Sequence, residues 1–353
     1  MKNKGLYIHI PFCLNICSYC DFAKVFYNEE LVDRYLLSLE KEMESYDIKD
    51  ISSIYIGGGT PTSLNVNQFE KLLIMVSKYF KKGISFTVEA NPENLTEEKI
   101  HLLRKYNVNR VSIGVQTFNE DLLKTLNRKH KNTYVYKCIE TLLKYNISDI
   151  NLDLIYGLPN QTLEMVKEDL KIITSLPITH ISTYSLMVNS NTVFGVKNIK
   201  EQDEEKIRQM YDLIYSYLKD KGFSRYEVSN FCKNNYKSKH NLIYWRNQEY
   251  YGVGLGASGY INNIRYDNTK SLTNYLKGTT RINEEVLTKK DIDFYYVMLG
   301  LRLNEGININ NVDYLERFEQ LIERGLIEKV NDRYKVTDDN LFILDYILEK
   351  ILF

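Results

Sequence analysis

Three cysteines fall within eight residues, in the run Cys13-Leu-Asn-Ile-Cys17-Ser-Tyr-Cys20. Spacings of three and two intervening residues on one tight loop let three thiolates wrap a cuboidal cluster. They would ligate three irons of a [4Fe–4S] centre and leave the fourth open to an outside ligand. Zinc competes for the same donors, but a structural zinc wants four closed ligands, usually paired as Cys-x-x-Cys. His9 would be the fourth donor for zinc, yet it lies inside a strand pattern, where a core histidine is the plainer reading. The remaining cysteines, Cys138 and Cys232, stand alone, and an odd total of five is not a disulfide framework. Cys138 sits among Tyr134, Ile139 and Leu142 at helical spacing and reads as a small buried hydrophobe.

Thiols on a loop need a scaffold that holds them. Short runs rich in Ile, Val and Tyr predict strands at Leu6–Ile10, Ser53–Ile56, Ser85–Ala90, Arg110–Val115, Asp149–Ile155 and His180–Leu186. Amphipathic patterns between them predict helices at Glu29–Tyr46, Asn67–Phe80, Thr96–Tyr106, Asn119–Tyr145 (as two helices) and Thr162–Ser175. Six strand–helix units in a row mean a parallel sheet, and the right-handed crossover rule points to a barrel or partial barrel. A doubly wound open sheet is the alternative. In either, the cysteine loop follows strand one, a triple glycine (Gly57-Gly-Gly) follows strand two, and Glu89 ends strand three. Gln116 follows strand four, while Asp153 shares a face of strand five with Asn151 and Ile155, opposite Leu152 and Leu154. Polar groups gathered at strand C-termini are what a barrel active site requires.

A further helix is expected at Asp203–Lys221, and residues 223–287 read as a turn-rich connection. From Thr288 the pattern runs helix, helix, then a strand pair around Asn331-Asp332, like the hairpin of a winged helix. The predicted division is therefore 1–222, 223–287 and 288–353. With 44% hydrophobic residues, 29 Tyr and 14 Phe, the chain can fill a sizeable core and is not disordered. The 46 basic and 46 acidic side chains cancel, and the second helix of the winged pattern (Val312–Glu323) has no basic cluster, so nucleic acid is not an expected partner. The uncharged stretch Ile172–Val196 is long enough to span a bilayer but would strand many Ser, Thr and Asn side chains there. With no signal peptide at the N-terminus, a cytoplasmic location is expected, with peripheral contact the one membrane role left open. Gly252-Val-Gly-Leu-Gly-Ala257 fits a dinucleotide fingerprint letter for letter. It opens no helical pattern and is read as a decoy.

The segment Tyr7-Ile-His-Ile-Pro-Phe-Cys-Leu-Asn-Ile-Cys-Ser-Tyr-Cys-Asp-Phe22 resembles the radical S-adenosylmethionine superfamily, in its oxygen-independent coproporphyrinogen oxidase-like branch. Similarity extends through Gly57-Gly-Gly-Thr-Pro-Thr62, Glu89-Ala-Asn-Pro92, Ser112-Ile-Gly-Val-Gln-Thr-Phe-Asn119, Asn127-Arg128 and Asn151-Leu-Asp-Leu-Ile-Tyr-Gly-Leu-Pro159. The resemblance implies an α/β fold, a partial (β/α)6 barrel followed by a smaller, mainly helical, winged-helix-like C-terminal domain. It implies a [4Fe–4S] cluster on Cys13, Cys17 and Cys20. S-adenosylmethionine would be surrounded by Tyr7, Tyr19, Gly58, Gly59, Thr60, Glu89, Gln116, Arg128 and Asp153.

Within that branch two features separate functions. The porphyrinogen dehydrogenases carry a further cysteine two residues after the third, where this chain has Phe22. His240-Asn-Leu-Ile-Tyr244-Trp245, preceded by Tyr226-Glu-Val-Ser-Asn-Phe231, is similar to the segment of the HemW-type heme chaperones. A histidine is a common axial ligand of heme iron, and Tyr244 and Trp245 would suit a porphyrin face. The competing reading is a buried, hydrogen-bonded His240 with Trp245 as a core anchor. The resemblance thus implies a chaperone that binds cluster, S-adenosylmethionine and heme and passes heme to an unidentified acceptor protein, without porphyrinogen oxidase activity. Its rivals are radical decarboxylation of coproporphyrinogen and, as a third class, a winged-helix regulator with a sensing cluster.

Overall fold

The computed structural model of the chain describes residues 3–309 and 312–353. Six parallel strands form its centre: β1 (Lys4–Ile10), β2 (Ile51–Gly58), β3 (Ser85–Ala90), β4 (Arg110–Gln116), β5 (Asp149–Tyr156) and β6 (His180–Ser185), hydrogen-bonded in that order. Their side chains alternate by the two-residue period of a strand. One face carries Leu6, Ile8 and Ile10, then Ile54 and Ile56, Phe86 and Val88, Val111 and Ile113, Leu152 and Leu154, and Ile181. All of these belong to the main hydrophobic core beneath the helices. The other face carries Tyr7 and His9, Tyr55 and Gly57, Glu89, Ser112, Asn151 and Asp153, and His180 and Ser182. Apolar packing thus fixes the register that collects the polar side chains on a common inner surface.

The helices start where the sequence supplies caps. Asn28, Asn65, Thr96, Asn119, Thr162 and Asp203 each accept a backbone N–H from the first turn that follows. Asn107 and Asn146 take the left-handed conformation just past two helix ends, at φ of 64° and 59°. The predicted 119–145 pattern does break in two, at Glu120–Thr125 and Asn132–Lys144.

The stretch 223–287, read from sequence as a turn-rich connection, instead supplies six strands to the same sheet. They are β7 (Ser224–Arg225), β8 (Asn230–Cys232), β9 (Tyr250–Val253), β10 (Ser258–Ile261), β11 (Ile264–Asn268) and β12 (Arg281–Val286). β8 and β7 extend the β6 edge antiparallel, and β9 pairs parallel with β1 before β10, β11 and β12 continue antiparallel. These strands are two to six residues long and glycine-interrupted, which hides them from periodicity. Gly252 is one such interruption: a Cβ there would sit 1.8 Å from the Ser258 carbonyl oxygen. The dinucleotide-like run therefore belongs to a tight strand pair, with no helix after it. The sheet curls into a partial barrel and stays open. Its outer edges are the two-residue β7 and the exposed, Glu-bearing β12, both poor templates for further pairing.

Residues 289–353 form helices Lys289–Gly300 and Val312–Glu323, the hairpin β13 (Ile327–Val330) and β14 (Arg333–Val336), and helix Leu344–Leu352, around their own core of Leu301, Phe318, Tyr334, Ile347 and Ile351. Asp338 ties this unit to the barrel through Arg225 (2.6 Å) and the Tyr215 hydroxyl (2.7 Å). Among the described residues, no helix is long and apolar enough to cross a membrane.

Candidate functional site

The chain leaves β1 through Pro11 and enters the cysteine loop at the C-terminal mouth of the barrel. Backbone bonds pin this loop. Thr60 N–H donates to the Phe12 carbonyl (2.9 Å), Tyr27 N–H to that of Cys13 (2.9 Å), Ser18 N–H to that of Leu126 (3.0 Å), and Phe194 N–H to that of Ser18 (2.9 Å). His9 is a buried core histidine, as its strand position suggested. Its Nε2–H donates to the Ala23 carbonyl (2.7 Å) and its Nδ1 accepts from the Tyr7 hydroxyl (3.0 Å), so it braces the loop and leaves no nitrogen for a metal.

Cys13 is buried, with its sulfur 3.5 Å from Thr60 Oγ1, while Cys17 and Cys20 are partly exposed. Burial pushes the Cys13 thiol up to about 11 and moves that of Cys20 in the same direction. Arg128 Nη1 reaches to 3.6 Å from the Cys17 sulfur and donates to Asn91 Oδ1 (2.9 Å), and Nη2 donates to the Gly114 carbonyl. Asn91 Nδ2 closes the circuit on Thr60 Oγ1 (3.2 Å). Tyr19 packs against the satellite cluster of Leu122, Leu126 and Leu158, beside Cys17 and Arg128. Arg128 is buried, and its Nε has no partner. Cys138 is buried with its thiol on the Pro92 and Leu95 carbonyls, and Cys232 is buried in β8 at the far sheet edge. Three free thiols on one braced loop, beside a cation with a spare donor, suit a [4Fe–4S] centre with three protein ligands. Neither other cysteine is placed to be a fourth.

The triple glycine has a steric cause at each position. A Cβ on Gly57 would lie 2.7 Å from the Glu89 carboxylate, on Gly58 (φ 110°) 2.5 Å from the His9 ring, and on Gly59 2.7 Å from the Pro11 backbone. The room left by Gly57 is filled by Glu89, which accepts from Tyr55 hydroxyl (2.6 Å) and Gly58 N–H (3.0 Å). Burial, with Asp153 nearby, lifts the Glu89 carboxyl to about 7. Asp153 is also pushed up by burial, against donors from Asn151 Nδ2 (2.7 Å) and Ser112 Oγ (3.3 Å). Both carboxylates are half-buried on the inner face, and every oxygen already accepts one donor, so a ligand's N–H or O–H would take up a remaining lone pair. Gln116 ends β4 at φ 70°, a conformation costly for a residue with a side chain. Its amide fills the space that Gly114 leaves.

The predicted cluster and cosubstrate residues are therefore drawn together at the mouth. The His240–Trp245 segment meets them from below, through Tyr55, which donates to Glu89 and stacks on His240, and through Tyr7, whose ring is 6.4 Å from that of His240. Helix Lys239–Trp245 lies across the opposite end of the barrel, where His240 packs against Gly5 and Ser53 near the starts of β1 and β2. The His240 ring is 1% exposed and stacks on Tyr55 at 5.0 Å between centroids. Its Nδ1 pairs with Ser53 Oγ and its Nε2 with the Tyr244 hydroxyl (2.8 Å). Burial drops it to about 3, so the ring is neutral. Trp245 packs on Tyr226, Cys232, Leu242 and Leu303, with Arg302 above its ring at 5.7 Å. Both ring nitrogens of His240 are thus occupied, and metal ligation there requires Tyr244 to move. Sequence reasoning missed Tyr55, Ser112 and His180. Extending the two-residue alternation along β2, β4 and β6 would have placed all three on the inner face.

Residues 7–173 match the Radical SAM superfamily. "Heme chaperone HemW" of Lactococcus lactis is 41% identical to the chain, over 99% of it and 98% of the relative. Its counterpart in Bacillus subtilis is also 41% identical, over 86% and 85%. The solved structure of the Escherichia coli coproporphyrinogen III oxidase HemN superposes with a TM-score of 0.87, covering 99% of this chain and 90% of that one. At 22% identity that likeness speaks to the fold alone. On full-length identity and matching architecture together, the chain belongs to the HemW-type heme chaperone family of the radical SAM superfamily.

Proposed function

We propose that the chain is a heme chaperone that carries a [4Fe–4S] cluster on Cys13, Cys17 and Cys20, binds S-adenosylmethionine at the barrel mouth, and passes heme to an acceptor protein. The observation that carries the cofactor part is the mouth itself. Three free thiols sit on a braced loop at the end of β1, and two half-buried carboxylates, Glu89 and Asp153, lie on the inner face of the neighbouring strands. When bound, a cluster of this type supplies an open iron for the amino and carboxylate groups of S-adenosylmethionine. In this reading Arg128 compensates charge beside Cys17. Glu89 and Asp153 accept hydrogen bonds from the cosubstrate, Gly58 and Gly59 let it approach backbone, and Tyr7, Tyr19, Thr60 and Gln116 complete the surround. The parallel strands within 1–222 supply the cofactor residues, and 288–353 packs on the barrel's side through Asp338.

The chaperone part rests on the family and on Phe22. That residue is 63% exposed at the mouth, where the dehydrogenases have a cysteine. The heme site is assigned to His240, Tyr244 and Trp245, with ligation by His240 following release of its Nε2 from Tyr244. Radical decarboxylation of coproporphyrinogen is the rival, favoured by the HemN-like fold. Anaerobic reconstitution followed by heme titration and a porphyrinogen assay on the same sample separates the two. Tight heme binding without porphyrinogen turnover is expected, and turnover without heme retention overturns the chaperone reading.

A further inference from the structure

One hydrogen-bonded line crosses the barrel wall from the mouth to the base. Ser112 on β4, Asn151 on β5 and His180 on β6 are register partners of one another, so the sheet sets them side by side. His180 Nδ1 lies 2.6 Å from Asn151 Oδ1, and its Nε2 lies 2.8 Å from the Tyr226 hydroxyl. That hydroxyl is 3.0 Å from the Ser238 N–H, and Ser238 is the N-cap of helix Lys239–Trp245. All five of these residues are 5% exposed or less.

The donors in this line have one consistent order. Asn151 Nδ2 already donates to Asp153 Oδ1 and to Ser112 Oγ (2.7 Å each), so its Oδ1 must accept, from Ser182 Oγ (3.1 Å) and from His180. His180 therefore holds its proton on Nδ1, and Nε2 accepts from the Tyr226 hydroxyl, which in turn accepts from Ser238 N–H. Every donor along the line points toward the Asp153 carboxylate. Reversing the His180 tautomer would set Asn151 Oδ1 against a bare lone pair, and turning the Asn151 amide to repair that would withdraw the donor on Asp153.

We infer that His180 and Tyr226 are positioning residues for Asp153, holding its carboxylate oriented for the cosubstrate by fixing one histidine tautomer and one amide orientation. Both are buried, at 1% and 4% exposure, and their line of hydrogen bonds reaches Asp153 through Asn151. This rests on the cosubstrate reading of Asp153 above. It also makes the cap of the His240 helix the far anchor of the same line, so the two ends of the barrel share one network.

Equilibrium dialysis of S-adenosylmethionine against the anaerobically reconstituted full chain tests it. Tyr226→Phe deletes one oxygen and should weaken binding up to roughly tenfold, the upper end of what a neutral hydrogen bond is worth, with iron and sulfide content unchanged. In an Asp153→Ala background the same substitution should add nothing, because its effect passes through that carboxylate. His180→Asn keeps a donor near the Nδ1 position and should bind closer to wild type than His180→Leu does. Wild-type-like binding by Tyr226→Phe and His180→Leu, or equal weakening by Tyr226→Phe in both backgrounds, overturns the relay while leaving the Asp153 site standing. No binding by the reconstituted wild type overturns the site and the relay together.

Discussion

The two ends of the barrel are built on opposite terms. At the mouth, two of the three thiols and both carboxylates are partly exposed, Arg128 keeps a buried Nε unpaired, and Gln116 holds a strained backbone. At the base, His240 is enclosed, both its nitrogens are bonded, and Tyr244 in turn packs edge-on against Tyr250 at 4.6 Å. The mouth keeps the Arg128 Nε unspent, whereas at the base His240 has spent both its nitrogens and the unpaired buried donor in its helix is Trp245 Nε1. A protein keeps unpaired polar groups where a ligand will pair them, and satisfies them where packing must hold. The same strands serve both, because a parallel barrel points all its C-termini one way.

If that contrast is right, damage at the two ends should show in different measurements. The largest effect is expected for Cys20→Ser, which removes one of three ligands: iron and sulfide after reconstitution should fall most of the way to zero. Its folding stability should stay within about 0.5 kcal/mol of wild type, as for other changes outside the core. His240→Ala should do the reverse. It opens a cavity and strands the Ser53 and Tyr244 hydroxyls, costing about 2–4 kcal/mol in urea unfolding with the cluster retained. A cluster lost in His240→Ala, or a chain unfolded by Cys20→Ser, would erase the distinction.

Tyr244→Phe sharpens the question of what His240 is for. It should cost about 1 kcal/mol of stability, the net value of one hydrogen bond. If His240 ligates heme, the freed Nε2 should also tighten heme binding and move the Soret band. An unchanged heme titration assigns His240 to packing alone.

The smallest effect concerns pH. Glu89, raised by burial from 4.5 to about 7, binds its proton more tightly folded than unfolded. Its contribution to stability is therefore full below pH 4.5, fades as pH rises to 7, and is flat beyond. With partial screening by solvent, the change is on the order of 1–2 kcal/mol. Thermal melts of the cluster-free protein should lose this slope in Glu89→Gln. A slope of the same size in both proteins would remove Glu89 as its source.

Much of the mouth was legible in the sequence because its signals are local. The cysteine spacing, the glycine run before Thr60 and the alternation that puts Asp153 opposite Leu152 each lie within a few residues. The caps at Asn28 and Thr162 are local as well. The base was not legible, for physical reasons. β9 is four residues long and pairs with a strand far away in sequence, and nothing within Tyr250–Val253 names its partner. The His-Asn-x-x-Tyr-Trp segment announces an unusual composition, but whether His240 faces inward depends on Gly5 and Ser53 making room. The line through Asn151, His180 and Tyr226 joins three strands and a helix cap, and only the register reveals it.

The pairing of β9 with β1 also has a consequence for biosynthesis. β1, with the cysteine loop at its end, leaves the ribosome before the other barrel strands and gains β2 early. Its other edge stays open until Tyr250–Val253 has been made, roughly 240 residues later. At about 5–20 residues per second that interval is on the order of tens of seconds. Helix Lys239–Trp245 comes just before β9, so the plug of the barrel and the missing neighbour of β1 arrive together. Until they do, the strand that presents Cys13 has one unpaired, aggregation-prone edge. Ribosome-bound chains halted before residue 239 should therefore be poor substrates for cluster assembly, while chains released past residue 253 should be good ones.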